Sequence, residues 1–269
     1  MDIRDAYFGE LYARCGRDPQ TLVIVGDFDA HWLNRIRQDF PAQYLNAGIA
    51  EQNMIGVAAG LALEGRRPFV CGQNNFITLR AMEQIAVDLC QQHLPVTLVG
   101  VGCGFSFSID GPTHHGVTDL GMMMQLPITI YNVNGVHIAQ SCAQFAGQGP
   151  AYMRLCKGDF SDSLSRTGSP MVITSGALIS ECAKAIEGTE AGLLNISMVH
   201  PLRMNPFRVP VVVVEDNMGA PIARALAGLG FEIKASLCPQ KYLFEYGTEA
   251  DMLRHAGLDA ARIREAIHA

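Results

Sequence analysis

Two short segments place proton-handling side chains where the chain turns. In Ile109-Asp110-Gly111-Pro112-Thr113-His114-His115-Gly116, a carboxylate and two imidazoles share a Gly/Pro turn after an apolar run. Histidine exchanges protons near neutral pH, so this turn suits acid–base work on a bound substrate. The same residues also suit a plain turn, with Asp110 capping backbone amides and the imidazoles in water. The adjacent histidines have no third ligand at recognisable spacing, so no metal site is predicted. In Asn46-Ala47-Gly48-Ile49-Ala50-Glu51-Gln52-Asn53, a turn feeds a helix of small apolar residues and puts Glu51 at or near its first turn. Taken alone, Glu51 there complements the helix dipole. Gly56, Ala58, Ala59, Gly60 and Ala62 would let another backbone approach closely, whether the chain's own sheet or something else.

Two further segments imitate nucleotide motifs. Gly100-Val101-Gly102-Cys103-Gly104 follows a strand, but a dinucleotide loop must open a helix that meets the pyrophosphate. Here Phe105 to Pro112 is loop chemistry, which argues against NAD. Gly26-Asp27-Phe28-Asp29 resembles a Gly-Asp-Gly metal–diphosphate start, but Phe28 removes the freedom that a second glycine gives.

The elements that must position these residues follow from composition and patterning. The chain has 269 residues, 49% hydrophobic and 17% charged, with a net charge of −6 spread along its length. That suits one large or two ordinary packed domains, and disfavours disorder or bulk-charge binding to nucleic acid or anionic membranes. The longest apolar stretch, 54–63, is too short to span a bilayer, and charges at Asp2, Arg4 and Asp5 disfavour a signal peptide. The eight cysteines are at least 13 residues apart with no CxxC pair, which points to buried thiols in a reduced, cytoplasmic protein.

Apolar runs at 21–25, 68–71, 96–101, 128–131 and 151–155 alternate with helical patterns at 3–15, 51–64, 76–92 and 136–145. Strands without apolar/polar alternation, separated by helices, predict a parallel sheet covered on both faces. The polar stretch 159–169 predicts a linker between domains at 1–158 and 170–269. In the second domain, strands are expected at 171–174, 193–197, 211–215 and 232–235, with helices at 177–187, 221–229, 250–255 and 260–267.

Taken together, Gly48-Ile49-Ala50-Glu51-Gln52, the Ala-Gly-rich run to Pro68, Asn75-Phe76 and Asp110-Gly111-Pro112-Thr113-His114 resemble the transketolase family. The resemblance extends to 1-deoxyxylulose-5-phosphate synthase and returns at Val214-Glu215-Asp216-Asn217 and from Tyr246-Gly247 to Ile267. It implies an α/β fold: a parallel-sheet pyrimidine-binding domain, then a smaller transketolase C-terminal-type domain. It also implies thiamine diphosphate as cofactor. In the family, the glutamate matching Glu51 hydrogen-bonds the cofactor's aminopyrimidine and promotes loss of the thiazolium proton. That role needs a protonated carboxyl, as apolar walls would favour. Phe76 matches the aromatic that stacks on the pyrimidine. Asp110 and His114 match residues that contact donor hydroxyls and assist proton transfer.

Departures from the pattern carry information of their own. Family members acting on sugar phosphates carry a basic residue where this chain has Gly100-Val101-Gly102-Cys103, so a phosphate contact is expected to be lost. Substrates would then be unphosphorylated or held differently. Arg80 matches a synthase-type arginine, and Met82 replaces the usual aromatic. Arg154 and Lys157 remain as strand-end cations that could meet an anionic substrate. The family's diphosphate-binding domain with its Gly-Asp-Gly motif is not found in these residues. The resemblance therefore implies the C-terminal subunit of a split enzyme, inactive until a partner supplies Mg²⁺ and the diphosphate site, in a heterotetramer or heterodimer. The expected reaction moves a two-carbon ketol or acyl unit from a ketose or 2-oxo acid to an aldehyde. The β subunit of a 2-oxo acid dehydrogenase and a non-catalytic scaffold are the alternatives.

Overall fold

The computed structural model describes residues 2–133, 138, 148–157 and 165–269. Helix α1 (Ile3–Arg17) opens the chain, capped by the Asp2 carboxylate on the Arg4 N–H at 2.9 Å. Its buried residues, Ile3, Tyr7, Phe8, Leu11 and Cys15, recur at helical spacing on one stripe. Full burial of each large apolar side chain contributes about 1.5–3 kcal/mol.

The first sheet contains β1 (Thr21–Val25), β2 (Tyr44–Asn46), β3 (Arg67–Gln73), β4 (Thr97–Val101), β5 (Thr129–Asn132) and β6 (Ala151–Leu155). These six are parallel in the order β2-β1-β3-β4-β6-β5. Every residue of β1, β4 and β6 is buried, as a sheet covered on both faces requires. Strands β7 (Met171–Thr174) and β8 (Gly192–Asn195) begin a second sheet. β9 (Met198–His200) then returns to the first sheet and pairs antiparallel with β5. β10 (Val211–Val214) and β11 (Ile233–Leu237) complete the second sheet, which is parallel in the order β11-β10-β7-β8.

Several expectations change in detail. The helix predicted over 76–92 is broken into Asn74–Thr78, a turn, Met82–Gln84 and a wide π turn at Ile85–Cys90. Bonds spanning five residues, such as Gln91 N–H to the Ala86 carbonyl at 3.0 Å, insert the extra residue while the apolar face stays inward. A helix, α2 (His31–Asp39), was not anticipated. The helix expected over 136–145 lies outside the described residues apart from Ile138, and most of the 159–169 segment does too. Arg166, from that segment, is fixed to the second sheet, with its guanidinium on the carbonyls of Ala191, Ile186 and Thr189 at 2.9 Å each.

Candidate functional site

In a parallel sheet all strands end on one edge, and ligands bind in the loops beyond it. The loop after β2 delivers Glu51, the turn after β3 delivers Phe76, and the loop after β4 delivers Asp110 and His114. Helix α3 (Glu51–Leu63) starts without a side-chain cap from Ala50, and Glu51 occupies its first position, 4% exposed. The Glu51 carboxylate accepts a hydrogen bond from Arg80 Nη1 at 2.7 Å. The apolar wall expected around Glu51 is thus broken by a guanidinium. The cause is the break in the 76–92 helix, since Arg80 lies in the turn between its pieces. The Arg80 guanidinium also lies over the Phe76 ring, 4.3 Å from its centroid, within the range of a cation–π contact.

Phe76 meets His114 edge to face, with ring centroids 5.1 Å apart and planes at 72°. Helix α4 (Asn74–Thr78) is capped by Gln73, whose Oε1 accepts from the Phe76 N–H at 3.2 Å. Gln73 Nε2 donates to the His114 carbonyl at 3.1 Å. Asn75 Nδ2 donates to the carbonyls of Thr113 and His115, at 3.0 and 2.9 Å. Thr113 Oγ1 lies 3.0 Å from His114 Nδ1. Beside this group is a cavity of about 490 Å³ lined by Phe76, Leu79, Arg80 and Pro112, with Tyr242 and Phe244 from the second half of the chain. Thr118 and Asn75 also line it, and Thr118 Oγ1 and Asn75 Oδ1 are buried without a hydrogen-bond partner among the described residues.

The remaining predicted residues divide. Asp110 is exposed at the tip of its turn, and among the described residues its carboxylate makes no hydrogen bond. His115 is buried, its Nε2 3.3 Å from the Ser108 carbonyl, and burial lowers its pKa. Gly102, at a φ of 86°, is covered by the Phe107 ring, which leaves no room for a Cβ. Cys103 is buried beside it and accepts from Asn74 Nδ2 at 3.0 Å. Neither position presents a cation.

Arg154 requires a correction. Expected at a strand end facing an anionic substrate, its side chain is 0% exposed. Arg154 Nε donates to Asp119 Oδ2 at 2.6 Å and Nη2 to Asp119 Oδ1 at 3.1 Å and Asp216 Oδ1 at 3.3 Å. Tyr152 Oη also donates to Asp119, and Asn217 Nδ2 reaches it from β10's end at 3.1 Å. Burial alone would raise the Asp119 carboxyl, but Arg154, Tyr152 and Asn74 hold it below its ordinary value. Burial raises Asp216 despite Arg154, in line with its longer contacts. This cluster joins the two halves of the chain. Gly104 belongs to the same junction, because a Cβ there would lie 2.8 Å from Asp216.

Phe76, Arg80 and Glu51 were each legible as motif residues. Gln73, Thr118, Tyr242 and Phe244 were not singled out, although Gln73-Asn74-Asn75 is an unusual run of amides for a strand's carboxyl end.

Sheet order and cluster define a mixed α/β protein whose mostly parallel first sheet has the pyrimidine-binding fold. The transketolase pyrimidine-binding domain family matches residues 1–160, and the chain belongs to that family. The 6-deoxy-6-sulfo-D-fructose transketolase subunit SqwH of Clostridium sp. (strain MSTE9) is 28% identical, over 85% of this chain and 78% of that protein. The 1-deoxy-D-xylulose-5-phosphate synthase of Thiobacillus denitrificans is 31% identical over 97% of this chain. The match covers 47% of that synthase, so the chain spans about half its length. A split-gene transketolase, solved as an inactive β4 tetramer, shares the fold with a TM-score of 0.80 at 22% identity, covering 100% of this chain and 97% of that one.

Proposed function

We propose that this chain is the C-terminal subunit of a two-component, thiamine diphosphate-dependent transketolase-like carboligase. The observation that carries the reading is the meeting of Glu51, Arg80, Phe76 and His114 at the carboxyl edge of the first sheet. The residues present suit an aminopyrimidine. Glu51 is a buried carboxylate at a helix start, Phe76 a flat ring, and Asn75 and Thr118 have buried, unpartnered oxygens. When bound, the cofactor supplies carbanion stabilisation for transfer of a two-carbon unit. Glu51 would hold a ring nitrogen and its proton, and Phe76 would offer its face. His114 would exchange a proton with the donor through Nε2, since Nδ1 faces Thr113. Asp110 is placed near the donor's hydroxyls on family resemblance, with the exposed turn leaving it free to reach them.

A partner subunit fits the rest. Mg²⁺ and the diphosphate are assigned to the partner on family resemblance. SqwH is named as a transketolase subunit, which supports the same division of labour. On α3 a Cβ at Gly60 would meet open space and one at Gly56 would meet Asp88 Oδ2 at 4.0 Å, which suits close approach by that partner at Gly60. With Arg154 withdrawn and Arg80 paired to Glu51, Lys157 is the remaining cation of the expected set, exposed and beside the Ser106 loop. We place the domain division at 1–158 and 170–269, with an aldehyde acceptor, a ketose or 2-oxo acid donor, and a heterotetrameric assembly. The test is reconstitution. Neither this chain nor a diphosphate-binding subunit alone should bind thiamine diphosphate with Mg²⁺ tightly by calorimetry, and the mixture should. Tight binding by this chain alone would remove the two-component reading.

A further inference from the structure

We infer that Gln73 and Asn75 are positioning residues that set His114 against Phe76, an inference that rests on His114 facing substrate as proposed above. The chain leaves β3 through three consecutive amides, Gln73-Asn74-Asn75. Gln73 uses both ends of its amide, with Oε1 on the Phe76 N–H and Nε2 on the His114 carbonyl, at 3.2 and 3.1 Å. The network fixes which end is which, because a backbone N–H must meet an acceptor and a carbonyl must meet a donor. One rigid planar group therefore spans the two residues whose rings touch at 5.1 Å.

Asn75 completes the clamp from the next turn. Its two amide hydrogens serve the carbonyls of Thr113 and His115, so three successive carbonyls, 113 to 115, end on two side chains. The segment's own backbone support is local: the His114 N–H on the Gly111 carbonyl, the Val117 N–H on the His115 carbonyl, and the bridge between Gly104 and Gly116. Among the described residues Asn75 Oδ1 is buried without a partner, an arrangement that stability alone does not favour. Thr113 Oγ1 takes the Nδ1 side of the imidazole at 3.0 Å, and the clamp thereby sets where Nε2 points.

The test uses isosteric changes. Gln73→Glu and Asn75→Asp each put carboxylate oxygens against backbone carbonyls, while Gln73→Asn keeps the amide but is too short to span both partners. Histidine-ring ¹⁵N–¹H spectra of the full chain, with the His114 signal assigned by its loss in His114→Gln, should show that signal displaced and its titration midpoint moved in each variant. In the complex with the partner subunit, kcat of the two Gln73 variants should fall about 100-fold, as a misplacement near 1 Å can cause, with KM for thiamine diphosphate within about twofold. If the His114 signal and titration stay as in wild type in folded Gln73→Glu and Gln73→Asn, the inference is overturned. A displaced signal with unchanged kcat would uphold the clamp and instead overturn the catalytic reading of His114.

Discussion

Two arginine–carboxylate pairs of nearly equal length hold different parts of this molecule. Arg154 meets Asp119 at 2.6 Å with both side chains 0% exposed, whereas Arg80 meets Glu51 at 2.7 Å with Arg80 42% exposed. The buried guanidinium also reaches Asn132, the Gly116 carbonyl and Asp216, so its charge and donors are met from both halves of the chain. The exposed one has a single carboxylate and an aromatic face. Burial removes water as an alternative partner, so the first pair cannot be opened without leaving charge uncompensated. In the second, Arg80 can swing into solvent while Glu51, 4% exposed, stays buried and needs another partner in its place. One arrangement fixes architecture, and the other leaves Glu51 available to a ligand.

The comparison can be broken at its strongest point. Arg154→Met should destabilise the fold by about 3–5 kcal/mol, because Asp119 and Asp216 remain buried without their counter-charge. Denaturant unfolding checks this, and a loss below about 1 kcal/mol would show the buried cluster to be dispensable. Tyr152→Phe removes the hydroxyl that donates to Asp119 at 2.7 Å and accepts from Asn74 at 2.6 Å. It should cost about 1–3 kcal/mol in the same measurement, through the buried groups left unpaired.

A smaller effect concerns the helix that follows β10. Glu215 accepts from the N–H groups of Ile222 and Ala223 at 2.9 and 3.0 Å, yet burial pushes its pKa up to about 7 from an ordinary 4.5. A raised folded-state pKa contributes stability that is full below the unfolded value and lost as pH rises through the folded one. Thermal midpoints of wild type should therefore fall between pH 4.5 and pH 7 relative to those of Glu215→Gln, which cannot ionise. Parallel midpoint curves for the two proteins would contradict this. Arg80→Ala should cost about 1–2 kcal/mol, less than Arg154→Met, because it strips the charged donor from one buried carboxylate, Glu51, where Arg154→Met strips it from two. A loss as large as that of Arg154→Met would erase the distinction between the two pairs.

The two arginines also show what one sequence discloses. The buried strands were legible because continuous apolar runs such as Thr21–Val25 have no other comfortable environment. Glu51, Phe76 and His114 were singled out together through the resemblance to the transketolase family, and each lies just beyond a strand, where a parallel sheet gathers its loops. Arg154 was misread because its partners lie 35 and 62 residues away and no periodicity links them. The return of β9 to the first sheet was hidden for a similar reason, being three residues long and paired across the chain's two halves. The break before Met82 was missed because the π turn keeps Ile85 and Leu89 buried, so the apolar pattern runs on while the helix does not.

The most direct test of the central claim is hydrogen–deuterium exchange at the thiazolium C2 of thiamine diphosphate, followed by NMR, since it needs neither donor nor acceptor. The complex of this chain with its diphosphate-binding partner should accelerate that exchange. The assembled Glu51→Gln complex should lose at least about 100-fold of the acceleration, the range typical of a positioned acid or base. Exchange as fast in the Glu51→Gln complex as in wild type would contradict the assignment of Glu51, and with it the proposed reading of the site.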